Sequence, residues 1–234
     1  LDAKQKRLSR VTYSESSLYY TFLEEYVEAP TFADALSAVL RDNKTEHPDV
    51  INPMSRFNIW QEVIIGQLWR SGFFRESFAD PLDLMISSIW LMQAVSVGGI
   101  ILLAWYLGGA NLWSLACSFV ALGTFVHLAS LERMNSYRAV QFPLLRENYS
   151  VPFMWYQLVA ICSVLRTGDQ YQIRRGVKTL LFITTTLMLT GWQFAPFLVL
   201  LQVGALLATF IAGYASWSTI TQICNILVRT RLLL

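Results

Sequence analysis

Charged side chains that border long apolar segments are the residues of this 234-residue chain with the clearest chemical potential. The stretch ERMNSYRAVQFPLLRENYSVPF, residues 132–153, carries Arg138, Arg146 and Glu147 between two segments suited to lipid. A charge at a bilayer centre costs about 2.5–3.5 kcal/mol or more, so we expect this stretch at a membrane surface. There it is either a solvated connector or a site that handles a charged group.

Glu15 is a second candidate because aromatic side chains follow it directly. Tyr19, Tyr20 and Phe22 belong to a pattern that must pack on something apolar. A carboxylate in such surroundings can be functional, whereas the ordinary interpretation of a charged residue in this region is a solvated face. The residues alone leave both readings open.

Composition indicates a membrane protein. Hydrophobic residues make up 54% of the chain and charged residues only 15%, against about 25% in soluble domains. Residues 1–83 carry a net charge of −4 and residues 84–234 a net charge of +6. The three cysteines lie in apolar segments without the spacing of a disulfide framework or metal site. No signal peptide is visible after Leu1, so we expect a portion of a longer protein.

The apolar part predicts about five membrane-spanning helices. A crossing needs about 20 apolar residues, and the fifty residues 179–228 lack any ionisable Asp, Glu, Lys, Arg or His. The sequence GWQFAP at 191–196 is expected to divide that run. The one ionisable side chain of the second span is His127, read as a packing residue or a proton carrier. The predicted spans are 84–107, 112–131, 151–165, 179–192 and 197–217.

The polar N-terminal region is expected to be helical and to lie on the luminal side. Apolar residues recur at helical spacing from residue 18 to 27, and Thr31 is a plausible N-cap of a second helix through Leu40. Phe57, Trp60, Ile64 and Leu68 predict the apolar face of a third helix at the membrane interface. Asn43 begins an Asn-Lys-Thr glycosylation sequon, which favours a lumen for this side. The predicted fold is an all-α polytopic membrane protein, with residues 1–82 luminal and residues 83–234 forming the transmembrane bundle.

Four blocks in this order resemble the Dumpy-nineteen family of tryptophan C-mannosyltransferases. They are ESSLYYTFLEEYVEAPTF at 15–32, DNKTEHPDVINPMSRFNIWQEVI at 42–64, PLLRENYSVPF at 143–153 and WQFAPF at 192–197. The resemblance covers about residues 10–215 and implies a GT-C glycosyltransferase bundle of the endoplasmic reticulum membrane. It also implies a further helix before this chain and more helices and a luminal domain after it.

The implied reaction transfers mannose from dolichyl-phosphate-mannose to C2 of the tryptophan indole in Trp-x-x-Trp segments of secretory proteins. By resemblance, Glu15 is the catalytic base, and Arg138 and Arg146 bind the donor phosphate. Glu147 is the expected orienting partner of Arg146. Chemically, a carboxylate stabilises the positive charge that develops on the indole and takes its proton, and arginine binds phosphate bidentately.

The sequence alone also allows functions other than that of an enzyme. The family tends to have an acidic residue three positions before Arg138, where this chain has Asn135, and it has WTPPL where this chain has QFPLL. A non-catalytic membrane scaffold or chaperone that keeps a lipid-phosphate pocket is the alternative function, and a transporter is a third class. No motif predicts a nucleotide, metal or nucleic-acid site, and we expect the reaction to need no cofactor besides the lipid-linked sugar.

Overall fold

The protein is all-α in the part of the chain that the structure describes. The structure is a computed structural model, which describes the backbone of residues 15–132, 145–167 and 175–232 and their side chains except at 15, 121, 124–132, 167 and 231–232. Within these ranges there is no strand, and one isolated bridge joins Asp42 to Ile51. The helices are α1 (Glu15–Glu28), α2 (Phe32–Leu40), α3 (Pro53–Phe57), α4 (Trp60–Arg70), α5 (Pro81–Leu107), α6 (Leu112–Glu132), α7 (Glu147–Thr167), α8 (Arg175–Gly191), α9 (Ala195–Ile211) and α10 (Trp217–Leu232).

Helix α1 ends, and α2 begins and ends, where the sequence predicts. Helix α1 ends at Glu28, before Ala29-Pro30, because proline disfavours helical backbone at the residue before it. Thr31 then caps α2, since its side-chain oxygen accepts a hydrogen bond of 3.1 Å from the backbone N–H of Asp34. Arg70 joins α4 to the end of α1, because its guanidinium donates to the carbonyl oxygens of Tyr26, Val27 and Ala29.

The predicted third helix is wrong in its extent. Asn58 adopts a left-handed conformation with φ of 52° and ends α3, so Phe57 does not share a helix with Trp60. Asparagine tolerates this conformation better than most residues, because its short polar side chain can hydrogen-bond locally. Phe57 packs with Phe22 of α1, at 6.1 Å between ring centroids. Trp60, Ile64 and Leu68 are exposed on α4, so the predicted apolar face exists without Phe57.

One helix of the described part is long and apolar enough to cross a membrane, namely the 27-residue α5. Helix α9 is also apolar but has 17 residues. The turn after α5 is the predicted GGAN turn, where Gly109 has a φ of 100° and Ala110 a φ of 57°. The five crossings predicted from the sequence therefore stay a prediction.

The C-terminal helices include one that the sequence analysis missed. The break at GWQFAP is confirmed, because α8 ends at Gly191 and α9 begins at Ala195. The predicted segment 197–217 is too long, because α9 ends at Ile211 and Gly213, with a φ of 77°, turns the chain. The Ser216 hydroxyl then accepts a hydrogen bond from the Thr219 N–H at 3.3 Å, and α10 follows.

The contacts divide the chain into two compact units. Unit 1 comprises residues 1–92 and 129–149, and unit 2 comprises residues 93–128 and 150–234. Unit 1 has two apolar clusters, one of which includes Tyr19, Phe22, Tyr26, Ile59 and Leu145. The other includes Tyr20, Leu23, Ile65 and Met85, with Tyr149 packed against it. The predicted boundary at residue 82 concerns membrane topology, which these contacts do not test.

Candidate functional site

Arg146 is a buried cation within unit 1. It lies in the turn before α7, and only 4% of it is exposed. Its guanidinium donates a hydrogen bond to the hydroxyl of Tyr19 on α1. The guanidinium carbon lies 4.3 Å from the centroid of the Tyr19 ring and 5.9 Å from that of Phe57. Aromatic faces attract cations, so the rings hold Arg146 while withdrawing it from water.

The local sequence fixes this position from both sides. Leu145, directly before Arg146, is 6% exposed and belongs to the same apolar cluster as Tyr19. Helix α7 begins at Glu147, and the N–H of Tyr149 donates to the Arg146 carbonyl oxygen at 3.0 Å. The Tyr149 hydroxyl then pairs with Ser88 Oγ of α5 at 2.5 Å. Arg146 is thus held by the packing of Leu145, by the first turn of α7 and by the hydrogen bond between Tyr149 and Ser88.

Glu62 of α4 is a second buried ionisable group in unit 1. It has no exposed surface, and neither carboxyl oxygen has a hydrogen-bond partner among the described residues. Burial raises the pKa of Glu62 to about 8, and the nearby Arg146 charge is among the weaker influences that oppose this rise. The backbone N–H of Glu62 and the Gln61 amide oppose the rise as well, although neither forms a hydrogen bond with the carboxyl group. At neutral pH this carboxyl group is therefore mostly protonated.

The arrangement favours binding of an anion by Arg146. A phosphate that reaches the guanidinium would form charge-assisted hydrogen bonds in surroundings of low dielectric, where they are strong. A neutral Glu62 does not compete for that charge. Within the described residues, no group of three or more His, Cys, Asp or Glu side chains is placed to hold a metal ion.

The predicted site residues fall into two groups. Arg146 and Glu147 are described, the first buried and the second half-buried at the start of α7. Glu15 is the first residue of α1, one helical turn before Tyr19, and its side chain lies outside the described part. Arg138 and Asn135 lie outside the described residues, as does the side chain of His127 in α6. The proposed partnership of Glu147 with Arg146 stays a prediction.

Sequence reasoning missed Tyr19 and Glu62 as members of this site. The pattern of apolar residues predicted one face of α4. It gave no information on the residues that the opposite face covers. Gly66 carries a signal for that face, because a Cβ there would come within 2.6 Å of Tyr26 Cδ1. A glycine one turn after Glu62 thus marks the face that packs against α1.

Asn43 is exposed in the turn between α2 and α3. The Asp42 carboxylate accepts hydrogen bonds from the N–H groups of Lys44 and Thr45, at 2.8 and 3.3 Å. These bonds hold the backbone of the sequon in a fixed turn while the Asn43 side chain remains open to solvent.

In the part of the chain that the structure describes, the fold is helical, one helix is able to cross a membrane, and a buried arginine lies at the start of another helix. A family model described as "Dpy19: Q-cell neuroblast polarisation" matches residues 10–233, and the chain belongs to this family. Protein C-mannosyl-transferase DPY19L1 of Rattus norvegicus is 28% identical over 230 residues, which cover 86% of this chain and 29% of the rat protein. The C-mannosyltransferase dpy-19 homolog of Drosophila melanogaster is 26% identical over 207 residues, covering 85% of this chain and 22% of the fly protein. The chain thus spans less than a third of the length of these relatives.

Proposed function

We propose that the full-length protein is a C-mannosyltransferase that transfers mannose from dolichyl-phosphate-mannose to C2 of tryptophan in Trp-x-x-Trp segments. Family membership over residues 10–233 supports the class of reaction. The observation that carries the assignment to this part of the chain is the buried Arg146, held by Tyr19 on the helix that Glu15 begins. Helix α1 therefore carries both the candidate base, Glu15, and Tyr19, which holds the candidate phosphate ligand Arg146.

In the proposed reaction, C2 of the indole attacks the anomeric carbon of mannose and forms a carbon–carbon bond. The bond from the anomeric carbon to the phosphate oxygen breaks with inversion, and dolichyl phosphate leaves with the electron pair. Arg146 and Arg138 stabilise the charge on that leaving group. Glu15 takes the C2 proton, which restores the aromatic indole.

Several features of unit 2 support a polytopic membrane protein with a GT-C bundle. Gln157 has no exposed surface, and its amide donates to Thr185 Oγ1 at 2.8 Å and accepts from Gln202 at 2.9 Å. Leu200 and Leu201 of α9, in contrast, are 64% and 53% exposed. Polar residues inside and apolar residues outside suit a helix bundle that is solvated by lipid. The exposed Asn43 supports a luminal N-terminal region in the endoplasmic reticulum.

The role of Glu15 is tested with the full-length protein, a lipid-linked donor and a Trp-x-x-Trp peptide. We expect Glu15→Gln to lower kcat by about 10²-fold or more, since general-base catalysis contributes that much, while donor binding is kept. Glu28→Gln is the matched control, because Glu28 is exposed at the other end of the same helix. Unchanged transfer by Glu15→Gln would show that another group removes the proton.

The alternative function is a membrane scaffold or chaperone that binds the lipid phosphate without transfer. Asn135, in place of the acidic residue that the family tends to have, is the observation that favours it. Donor binding by the wild-type protein with no modified peptide would support this alternative over the enzyme.

A further inference from the structure

The proposed reaction gives no task to Glu62, although it is the most deeply buried carboxyl group for which the structure describes a perturbed pKa. An ionised carboxylate without partners in a protein interior costs several kcal/mol. The neighbouring Gln61 is 5% exposed, and neither its amide nitrogen nor its carbonyl oxygen has a hydrogen-bond partner among the described residues. Two adjacent polar side chains of α4 therefore face the interior of unit 1 without satisfied hydrogen bonds.

Packing places Glu62 and Arg146 in the same interior. Ile59, directly before α4, and Val63 of α4 pack in the cluster that contains Leu145, while Ile65 packs in the cluster that Tyr149 joins. In the chain, Glu62 lies between Ile59 and Ile65, and Arg146 lies between Leu145 and Tyr149. The Arg146 charge accordingly favours the ionised form of Glu62, and the Glu62 charge in turn acts on Tyr149.

Several other charged groups of unit 1 act on the tyrosines of α1. Glu24 and Glu28 of α1, together with Asp80, act on Tyr20, and burial with their charge raises the pKa of Tyr20 to about 12. Arg70 bonds to the end of α1 and acts on Tyr26. The pKa values of Tyr20 and Tyr26 are raised by burial. Among the described residues, Arg146 is the charged side chain that acts on Glu62.

We propose that Glu62 is a positioning residue that acts through Arg146 and sets how much of the arginine's charge is available to a bound phosphate. The proposal rests on the proposed function of Arg146 as a ligand of the donor phosphate. A protonated Glu62 carries no charge that would compensate the guanidinium of Arg146. An ionised Glu62 compensates that charge inside the protein, so the donor binds more weakly.

The donor KM of the full-length protein is the first test, measured with dolichyl-phosphate-mannose between pH 7 and pH 9.5. We expect the wild-type KM to rise about fivefold to tenfold across the pKa of about 8, as an opposite charge is compensated. Glu62→Gln mimics the neutral acid, so its KM should lack the alkaline rise of the wild-type protein. Glu28→Gln, at an exposed carboxylate, should keep the wild-type profile. An alkaline rise that persists in Glu62→Gln, or a tenfold higher KM of that variant at pH 7, would overturn the proposal.

A second test needs no substrate and separates this proposal from the proposed function. The folded-state pKa of Glu62 lies near 8, above the ordinary value of 4.5, so between these values the folded protein holds a proton that the unfolded chain releases. The wild-type Tm should therefore fall as pH rises from about 4.5 to about 8, and Glu62→Gln should lack this component. Arg146→Gln removes the opposing charge, so the fall should extend to higher pH, but only where Glu62 is present.

The outcomes of the two tests are distinct. If the wild-type protein binds no donor at any pH, the proposed function fails, whereas the Tm curves still report the coupling of Glu62 to Arg146. Parallel Tm curves of wild type and Glu62→Gln would refute the coupling on their own, even if Arg146→Gln does not fold. Additive effects of the two substitutions at every pH would refute it as well.

Discussion

At the scale of single residues, the site depends on how the Arg146 guanidinium is stabilised in the protein interior. Arg146 is almost fully buried, and Tyr19 supplies both a hydroxyl acceptor and an aromatic face. The sequence predicted Arg146 through its resemblance to a family loop, but it did not predict Tyr19 as its partner. These residues are 127 positions apart in the chain, and only tertiary packing brings them together.

Tyr19→Phe separates the two contributions of this tyrosine. The phenyl ring still attracts the guanidinium of Arg146, but the hydroxyl acceptor is lost. A buried N–H of Arg146 then lacks this hydrogen bond. We expect the free energy of unfolding to fall by about 1.5–3 kcal/mol, the range for hydrogen bonds to charged groups, and the donor KM to rise.

Thermal unfolding in detergent and donor titration measure the two effects of Tyr19→Phe. Tyr214→Phe is the control, because Tyr214 is 85% exposed and should change neither quantity. Wild-type stability and wild-type KM in Tyr19→Phe would mean that the hydroxyl contributes little to holding Arg146.

At the scale of elements, the sequence predicted boundaries better than orientations. Thr31, Ala29-Pro30 and the GWQFAP break act through local backbone chemistry, so their effects were predictable. Helix α4 shows the limit of such reasoning, because a hydrophobic stripe packs equally well against a protein core or against lipid. Its stripe of Trp60, Ile64 and Leu68 is exposed, and the buried face includes Gln61 and Glu62. Knowing which face meets α1 requires the tertiary contact at Gly66.

Gly66→Ala tests that contact between α1 and α4. A Cβ at this position would lie 2.6 Å from Cδ1 of Tyr26, whose side chain is 1% exposed and cannot easily move away. We expect a loss of about 1–3 kcal/mol, typical of overpacking, which outweighs the gain in helix propensity.

The matched control is Gly176→Ala in α8, where a Cβ would meet nothing within 4 Å. That substitution should be neutral or stabilising by up to about 1 kcal/mol. Equal melting temperatures of the two variants would show that α1 and α4 do not pack as described.

At the scale of the whole molecule, the open question is the side of the membrane on which unit 1 lies. Helix α5 follows α4 in the chain and is long enough to cross a membrane, and the apolar stripe of α4 is exposed. Residues 15–70 carry the sequon on an exposed turn, and the same region holds Tyr19 and Glu62. A luminal location of Asn43 would therefore place the candidate site in the lumen as well.

Glycosylation of Asn43 reports that location directly. We expect the full-length protein expressed in cells to lose the mass of one glycan at this sequon on treatment with an endoglycosidase. Asn43→Gln and Thr45→Ala should each remove the contribution of this glycan to the shift, while Asn111→Gln, outside any sequon, should keep it. A protein that is active but never modified at Asn43 would remove this support for a luminal N-terminal region.

The central claim is that this chain forms the donor-phosphate and base region of a C-mannosyltransferase. The most direct measurement incubates the purified full-length protein with dolichyl-phosphate-mannose and a Trp-x-x-Trp peptide, and locates any added hexose by fragmentation mass spectrometry. The account predicts one mannose on C2 of a tryptophan indole, formed by the wild-type protein and at least about 10²-fold more slowly by Glu15→Gln. Donor binding without a modified tryptophan would contradict it and identify a lipid-phosphate-binding protein instead.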